Sequence, residues 1–328
     1  MIRFCQFGIG LIGSVHAANI ARNPKASLRY VVDLDAGAAL QAAERYGAQV
    51  ADAATALADP EVDAVLIASP TNTHAELLTA AAKAGKAIFC EKPIDLDIKR
   101  VDDCLREIEK AGVPVAIGFN RRFDPSHRAV YDALREGRVG ATEMVLLTSR
   151  GPEPPPISYI KVSGGQFRDQ MIHFFDLARW LLGEEPIEIF AMASCMVDPA
   201  IGEAGDVDTS MVMMKTASGA LCHINNSRRT TYGYDERIEV FGSEGMVQST
   251  NQRPRSVKYH ARDGYRQEGF FDSWLDRFLD SYRVELDHFI DAIGAGTKPM
   301  VTEQDGRLAL VLANAALRSY ETGSPVKI

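Results

Sequence analysis

The sequence predicts an α/β protein with an N-terminal doubly wound parallel sheet and a C-terminal α+β domain, whose open sheet is large and mostly antiparallel. Three observations predict it. A glycine-rich turn follows the first apolar run, and short apolar runs then alternate with Ala-rich helical patterns as far as residue 122. Beyond it, β-like runs follow one another without helices between them. Alternation favours a sheet covered on both faces, whereas consecutive strands favour antiparallel pairing.

The glycine-rich turn is typical of a dinucleotide-binding Rossmann domain. The run Ile2 to Phe7 ends in a G-x-G-x-x-G pattern formed by Gly8, Gly10 and Gly13. The first glycine permits a tight turn, the second lets backbone approach a pyrophosphate, and the third lets helix pack close to strand. Ser14 to Arg22 is predicted to form the helix that follows, and its N-terminal N–H groups and positive dipole end favour phosphate. Leu11 and Ile12, in the turn before it, are also expected to contact the cofactor.

An acidic residue selects the cofactor. A second apolar run, Leu28 to Val32, ends at Asp33, twenty residues after Gly13. Its carboxylate can accept hydrogen bonds from ribose hydroxyls and would repel a 2′-phosphate, and no Arg follows it closely. The prediction is therefore NAD rather than NADP.

Polar residues follow two later strands, where a doubly wound sheet binds its ligands. Ser69 to His74 reads SPTNTH, and the next strand ends in Glu91-Lys92-Pro93. We therefore expect further cofactor contacts from one set of residues: Ser69, Thr71, Asn72, His74, Glu91 and Lys92.

A buried helix in the second domain, predicted over Phe167 to Leu182, carries titratable residues. Asp169, His173 and Asp176 have i, i+4 and i+7 spacing and would form one stripe. Such a stripe is costly in an apolar helix unless it faces a cleft, and imidazole beside carboxylate suits proton transfer. A structural histidine network is the alternative. A metal site is less favoured, because zinc needs three or four ligands, and no metal is predicted.

Composition excludes several classes of protein. A net charge of -8 without a basic run argues against nucleic-acid binding. No stretch approaches the ~18 apolar residues of a membrane helix. Five cysteines, an odd number without C-x-x-C spacing, predict buried thiols in the reducing cytoplasm.

Taken together, GIGLIG with Asp33, SPTNTH, Glu91-Lys92-Pro93, GFNRRFD and GGQFRDQMIHFFD resemble the Gfo/Idh/MocA oxidoreductases over essentially the whole chain. The resemblance implies domains at 1–122 and 123–328, with a C-terminal helix able to pack back on the first. It also implies catalytic roles for Lys92, Asp169 and His173, a cis bond before Pro93, and dimers or tetramers built through the open sheet.

Within that family, the segments 152–165 and 232–242 most resemble members that oxidise inositol at carbon 2. The expected reaction is NAD-dependent oxidation of a cyclitol, myo-inositol to 2-keto-myo-inositol. Another cyclitol or an aldose stays open as substrate, and a non-catalytic NAD-binding regulator is the rival class. Phe174 and Asn120 depart from residues common at these positions. The substrate candidates are Asn120, Tyr159, Tyr232 and Tyr234, and packing is the alternative role for the tyrosines.

Overall fold

Strands and helices alternate through the first 120 residues, which belong to the first of two units, Met1–Asn120 with Ser281–Leu310. The structure is a computed structural model that describes all 328 residues. The strands are β1 (Ile2–Phe7), β2 (Ala26–Val32), β3 (Gln49–Val50), β4 (Ala64–Ile67), β5 (Ala87–Cys90) and β6 (Val115–Ile117). The helices are α1 (Leu11–Arg22), α2 (Ala36–Tyr46), α3 (Ala53–Ala58), α4 (His74–Lys83) and α5 (Ile98–Ala111).

These six strands form one parallel sheet in the order β3-β2-β1-β4-β5-β6. This is the strand order of the Rossmann fold, and the predicted doubly wound sheet is confirmed. Every residue of β4 and β5 is buried, as expected of strands covered on both faces. The order reverses between β1 and β4, and ligands of such sheets bind beyond the strand ends at that point.

The second unit, Arg121–Asp280 with Val311–Ile328, carries the larger sheet. Its helices are α6 (Pro125–Arg135), α7 (Ile157–Ser163), α8 (Gly165–Asp169), α9 (Ile172–Leu182) and α10 (Pro199–Glu203). Its sheet strands are β7 (Thr142–Arg150), β8 (Pro186–Ser194), β9 (Thr209–Thr216), β10 (Leu221–Ser227), β11 (Asp235–Gly242) and β12 (Gly245–Ser249). Three short strands complete the list: β13 (Lys258–Ala261), β14 (Gly264–Gln267) and β15 (Val326–Lys327).

The large sheet has seven strands in the order β12-β11-β7-β10-β9-β8-β15, and β13 pairs only with β14. The β7–β10 pair is parallel and the other pairs are antiparallel, which confirms a mostly antiparallel sheet. Four apolar residues follow one another in β9, from Met211 to Met214, and their exposure alternates. Met211 and Met213 are exposed, whereas Val212 and Met214 are buried.

Two long helices end the chain, α11 (Trp274–Ala295) and α12 (Glu303–Thr322). From Ser281 to Leu310 the chain belongs to the first unit, although the sequence assigned 123–328 to the second domain. The reason is apolar packing: Phe289 lies in the core of the first unit, its ring centroid 6.3 Å from that of Phe4 and 5.7 Å from that of Phe89.

The cysteines are free thiols, and four of the five are buried. Burial raises the pKa of Cys5 to about 12, so this thiol stays protonated and unreactive near neutral pH. No helix has both the length and the apolar character needed to cross a membrane.

Candidate active site

The three glycines of the first turn differ in what surrounds them. Gly8 has φ +92°, and a Cβ there would lie 2.5 Å from the carbonyl oxygen of Ala68 on the neighbouring strand. A Cβ on Gly13 would lie 2.2 Å from the carbonyl oxygen of Gly8. Gly10 has nothing within 4 Å of that position. Gly8 and Gly13 therefore permit close packing of the backbone, and Gly10 leaves open space of the kind that a pyrophosphate requires.

A buried side-chain amide that was not predicted from the sequence stabilises this turn. The side chain of Gln6, a polar residue inside an apolar strand, donates hydrogen bonds to the carbonyl oxygens of Gly8 (2.9 Å) and Gly13 (2.6 Å). The signal was present, because a fully buried glutamine must find partners.

Asp33 lies beside the glycine turn. Its Oδ2 accepts a hydrogen bond from the Ile9 N–H at 2.6 Å, and its Oδ1 accepts one from the Asp35 N–H at 2.8 Å. No side chain caps the N-terminus of α1 at Gly10, so the N–H groups of its first turn, including those of Leu11 and Ile12, are available to an anion. Open backbone donors, the open space at Gly10 and a carboxylate beside the turn, which is predicted to bind the ribose, together fit NAD.

The SPTNTH segment forms a turn that is held from within. Thr71–Thr73 is a 3₁₀ turn, and the hydroxyls of Ser69 and Thr73 are 2.7 Å apart. His74 is buried, with Nε2 2.7 Å from the carbonyl oxygen of Ser69 and Nδ1 2.8 Å from that of Pro93. Both ring nitrogens thus contact backbone, so the structure gives His74 a role in joining two turns. Asn72 is exposed.

The second of those turns is Glu91-Lys92-Pro93, at the carboxyl end of β5. The Lys92–Pro93 peptide bond is cis, as the family resemblance implied. Glu91 is buried, and its Oε1 lies 2.8 Å from Nε2 of His16 on α1. The Lys92 N–H donates to Oε2 of Glu91 at 3.3 Å. Lys92 itself is half-buried.

In the second unit, the prediction of a single helix over Phe167 to Leu182 is wrong. The chain forms two helices there, α8 and α9. The N–H groups of Gln170 and Met171 both donate to the carbonyl oxygen of Gln166, which ends α8. Consecutive left-handed glycines, Gly164 (φ +86°) and Gly165 (φ +81°), reverse the chain between α7 and α8. This local geometry, rather than a straight helical stripe, sets the positions of the titratable residues.

Asp169 ends α8 and His173 lies in the first turn of α9. The Tyr159 hydroxyl, on α7, donates a hydrogen bond to Oδ1 of Asp169 at 3.0 Å. His173 is buried, Asp169 is half-buried and Tyr159 is exposed. A phenol, a carboxylate and an imidazole on three successive helices can bind hydroxyl groups and transfer a proton.

Asp176 does not belong with this group. Its two carboxylate oxygens accept hydrogen bonds from Arg122 at 2.8 and 2.5 Å, and both residues are buried. The predicted stripe of Asp169, His173 and Asp176 is therefore wrong in its last member, because Asp176 is the counterion of an arginine 54 positions earlier.

The remaining substrate candidates differ in exposure. Asn120 is fully buried, and its side-chain amide donates to Ser281 at 3.1 Å. Tyr234 is buried, and its hydroxyl donates to Glu236 at 2.7 Å. Burial and the Glu236 charge raise the pKa of Tyr234 far above its usual value. Only Tyr232 is exposed, and its hydroxyl donates to Asp235 at 2.7 Å.

Fold and site define the class: the chain is an NAD-dependent oxidoreductase. Residues 2–119 match the family described as an oxidoreductase family with an NAD-binding Rossmann fold, and residues 127–248 match the GFO/IDH/MocA C-terminal domain. The chain belongs to the Gfo/Idh/MocA oxidoreductase family.

Two relatives and one solved structure illustrate the similarity. The chain is 49% identical to an inositol 2-dehydrogenase of Rhizobium meliloti, with coverage of 100% of this chain and 99% of the relative. It is 44% identical to a myo-inositol 2-dehydrogenase of Thermotoga maritima, covering 100% and 98%. The crystal structure of a scyllo-inositol dehydrogenase from Lactobacillus casei with bound NAD(H) and scyllo-inositol matches with TM-score 0.93 at 26% identity, covering 100% and 99%.

The glycine geometry makes a prediction that separates binding from folding. Gly10→Ala should weaken NAD⁺ binding roughly tenfold or more, a cost of ~1.4 kcal/mol, with little change in Tm, because its Cβ enters only open space. Gly13→Ala should instead destabilise the protein by about 1–3 kcal/mol, because its Cβ overlaps the Gly8 carbonyl. Calorimetric titration and thermal unfolding measure the two effects. Gly294→Ala, a helical site with nothing within 4 Å, is the control. Unchanged NAD⁺ affinity in Gly10→Ala would contradict the assigned pyrophosphate position.

Proposed function

We propose that this enzyme oxidises myo-inositol at carbon 2 to 2-keto-myo-inositol, with NAD⁺ as the oxidant. The observation that carries the proposal is 49% identity, over the whole chain, to an inositol 2-dehydrogenase. The site supports it, since a polyol needs several hydrogen-bonding partners and a base, and α7 to α9 provide a phenol, a carboxylate and an imidazole.

In the proposed reaction, a secondary alcohol loses a proton and a hydride to become a ketone. NAD⁺, when bound, supplies the hydride acceptor. His173 takes the hydroxyl proton as general base. Lys92 donates a hydrogen bond to the same oxygen and stabilises the negative charge that develops on it.

Asp169 has a positioning and binding role in this proposal. Its Oδ1 accepts the hydrogen bond from Tyr159. A carboxylate can accept several hydrogen bonds, so we propose that Asp169 also orients a catalytic side chain or accepts a hydrogen bond from a neighbouring substrate hydroxyl. Tyr159 is exposed and reaches this carboxylate, so we keep it as a substrate residue. For Asn120 and Tyr234 we propose supporting roles, because both are buried with partners of their own.

We also propose that the enzyme is a homo-oligomer, a dimer or tetramer, formed through the open face of the large sheet. The buried alternate residues of that sheet face its helices, whereas the opposite face exposes apolar residues on six neighbouring strands. The register places these in rows: Met246, Phe241, Met144 and Leu221 in one, Leu146 and Met213 on either side of His223 in the next, and Met211 and Met192 in a third. Exposed apolar residues clustered on one sheet face are typical of an interface.

We propose that the enzyme works in the cytoplasm and serves inositol catabolism. Five free cysteines without a disulfide support the proposed compartment, because they fit a reducing environment.

A substrate panel tests the proposed reaction directly. Incubation with NAD⁺ and inositol stereoisomers, other cyclitols or aldoses should produce NADH absorbance, with the highest kcat/KM for myo-inositol and a clear preference for NAD⁺ over NADP⁺. A higher kcat/KM for an aldose would replace the substrate assignment, and NAD⁺ binding without turnover of any polyol would favour the regulator.

Removal of the proposed base and of the proposed electrostatic group should each be severe. His173→Ala should lower kcat roughly a hundredfold or more, and the loss should ease as pH rises, because hydroxide and buffer base replace the imidazole. Lys92→Ala should be comparable, and the double variant much less than multiplicatively worse, as expected for groups acting on one oxygen. Steady-state kinetics over pH provide the measurement, and intact NAD⁺ binding in His173→Ala provides the control. Full activity in His173→Ala would exclude this mechanism.

The interface prediction is tested by light scattering at micromolar concentration. The wild type should be a dimer or tetramer, and Met211→Asp with Met213→Asp should dissociate it, because two charges would be buried in an apolar interface. Met196→Asp, at an exposed methionine outside the sheet, is the control. A wild-type mass of 35.9 kDa would rule out this assembly.

A further inference from the structure

A buried acid–imidazole cluster lies directly behind the turn that carries Lys92. It consists of His16, Glu91 and Glu285, all buried, and one ligand atom from each lies within 4.8 Å of the others. We propose that Glu91, fixed by His16, is a positioning residue for Lys92. This inference rests on the proposed role of Lys92 as the group that stabilises charge on the substrate oxygen.

The imidazole of His16 is held on both its polar and its apolar sides. Its Nε2 lies 2.8 Å from Oε1 of Glu91. Its ring packs edge-on against Phe89, with centroids 5.1 Å apart, and against Tyr282, with centroids 5.7 Å apart. An imidazole enclosed in this way has one orientation, so it fixes the carboxylate that it contacts.

Glu285 brings a second carboxylate to the same place from α11. Burying two carboxylates around one imidazole is costly, and an apolar cluster of the same volume would pack at lower cost. A packing role therefore does not account for these residue types. A zinc site does not account for these residue types either. Two ligand atoms of one tetrahedral zinc lie about 3.3 Å apart, whereas Nε2 of His16 and Oε1 of Glu91 are 2.8 Å apart, the distance of a hydrogen bond.

The Glu91 carboxylate occupies space that is left by the missing side chain of Gly118. A Cβ at that glycine would lie 3.0 Å from Oε2 and 3.1 Å from Oε1, so only glycine gives the carboxylate this space. Oε2 in turn accepts the hydrogen bond from the Lys92 N–H. His16 and the space at Gly118 thus fix the Glu91 carboxylate, and the Glu91 carboxylate fixes the backbone of Lys92.

The same turn is held at its next residue by His74, which contacts the Pro93 carbonyl oxygen. Backbone contacts at two successive residues define where the Lys92 side chain begins. Such precision has a catalytic consequence, because a displacement of ~1 Å at a reacting group can cost roughly a hundredfold in rate.

The test compares two substitutions at His16 with a matched one on the same helix. His16→Leu should lower kcat roughly ten- to a hundredfold. Its NAD⁺ affinity by calorimetry should stay the same, and the kinetic isotope effect with carbon-2-deuterated substrate should rise as hydride transfer becomes rate-limiting. His16→Gln, whose amide can donate to Glu91, should recover most of kcat. Asn19→Leu removes another buried polar group from α1 and should change Tm without changing the isotope effect.

Two further variants keep the result decisive if His16→Leu does not fold. Gly118→Ala displaces the Glu91 carboxylate without removing any charge, and it should also lower kcat and raise the isotope effect. In a Lys92→Ala background, Gly118→Ala should cause no additional loss of kcat, because its effect passes through Lys92.

The outcomes separate this inference from the proposed function. Wild-type kcat and isotope effect in Gly118→Ala and His16→Leu, together with an inactive Lys92→Ala, would overturn the positioning role alone. Losses that persist in full without the Lys92 side chain would also overturn it. Full activity in Lys92→Ala would instead overturn the proposed function on which the inference rests.

Discussion

The close approach of two backbone segments at Gly8 is the constraint on which the cofactor site depends. At the end of β1 the chain passes so near Ala68, at the end of β4, that a single methyl group would overlap its carbonyl. These two strands flank the point where the strand order reverses. The turn is closed by three kinds of contact: glycine against backbone, the Gln6 amide on two carbonyls, and Asp33 on the Ile9 N–H. Asp33 therefore has a structural task besides the one suggested by its charge.

The polar interior of each unit is organised differently. In the first unit, histidines hold the turns at the strand ends: His16 through Glu91, and His74 through two backbone carbonyls. In the second unit, buried arginines form pairs with carboxylates, Arg122 with Asp176 and Arg277 with Asp124. Buried ion pairs are expensive, and breaking one by removing a single partner costs about 3–5 kcal/mol. The GFNRRFD segment supplies members of both pairs, which explains why so polar a sequence is buried.

Local pattern was sufficient for the fold and insufficient for much of the site. Apolar strands, helical spacing and three glycines predict the parallel sheet, because each depends on residues close in sequence. Asp176 is paired with Arg122, and Tyr234 is buried and donates a hydrogen bond to Glu236. Sequence periodicity predicts neither contact. The break between α8 and α9 escaped for another reason. Gln166 accepts hydrogen bonds from two successive N–H groups, and nothing in the apolar spacing of this segment marks that geometry. Helical spacing singled out Asp169 and His173, and the end of a strand singled out Lys92, but their catalytic roles were predicted only from the motif resemblance.

The return of Ser281–Leu310 to the first unit has a consequence for how the protein is made. Phe289 and Leu286 are part of the core that surrounds Phe4, yet they are synthesised only after the whole segment Arg121–Asp280. Domains generally fold as they emerge from the ribosome, N-terminal first. Here the nucleotide-binding unit cannot complete its core until the whole intervening unit has left the exit tunnel. A fragment ending near residue 120 would lack these aromatic and aliphatic side chains, so we expect that it would not fold stably without the segment Ser281–Leu310.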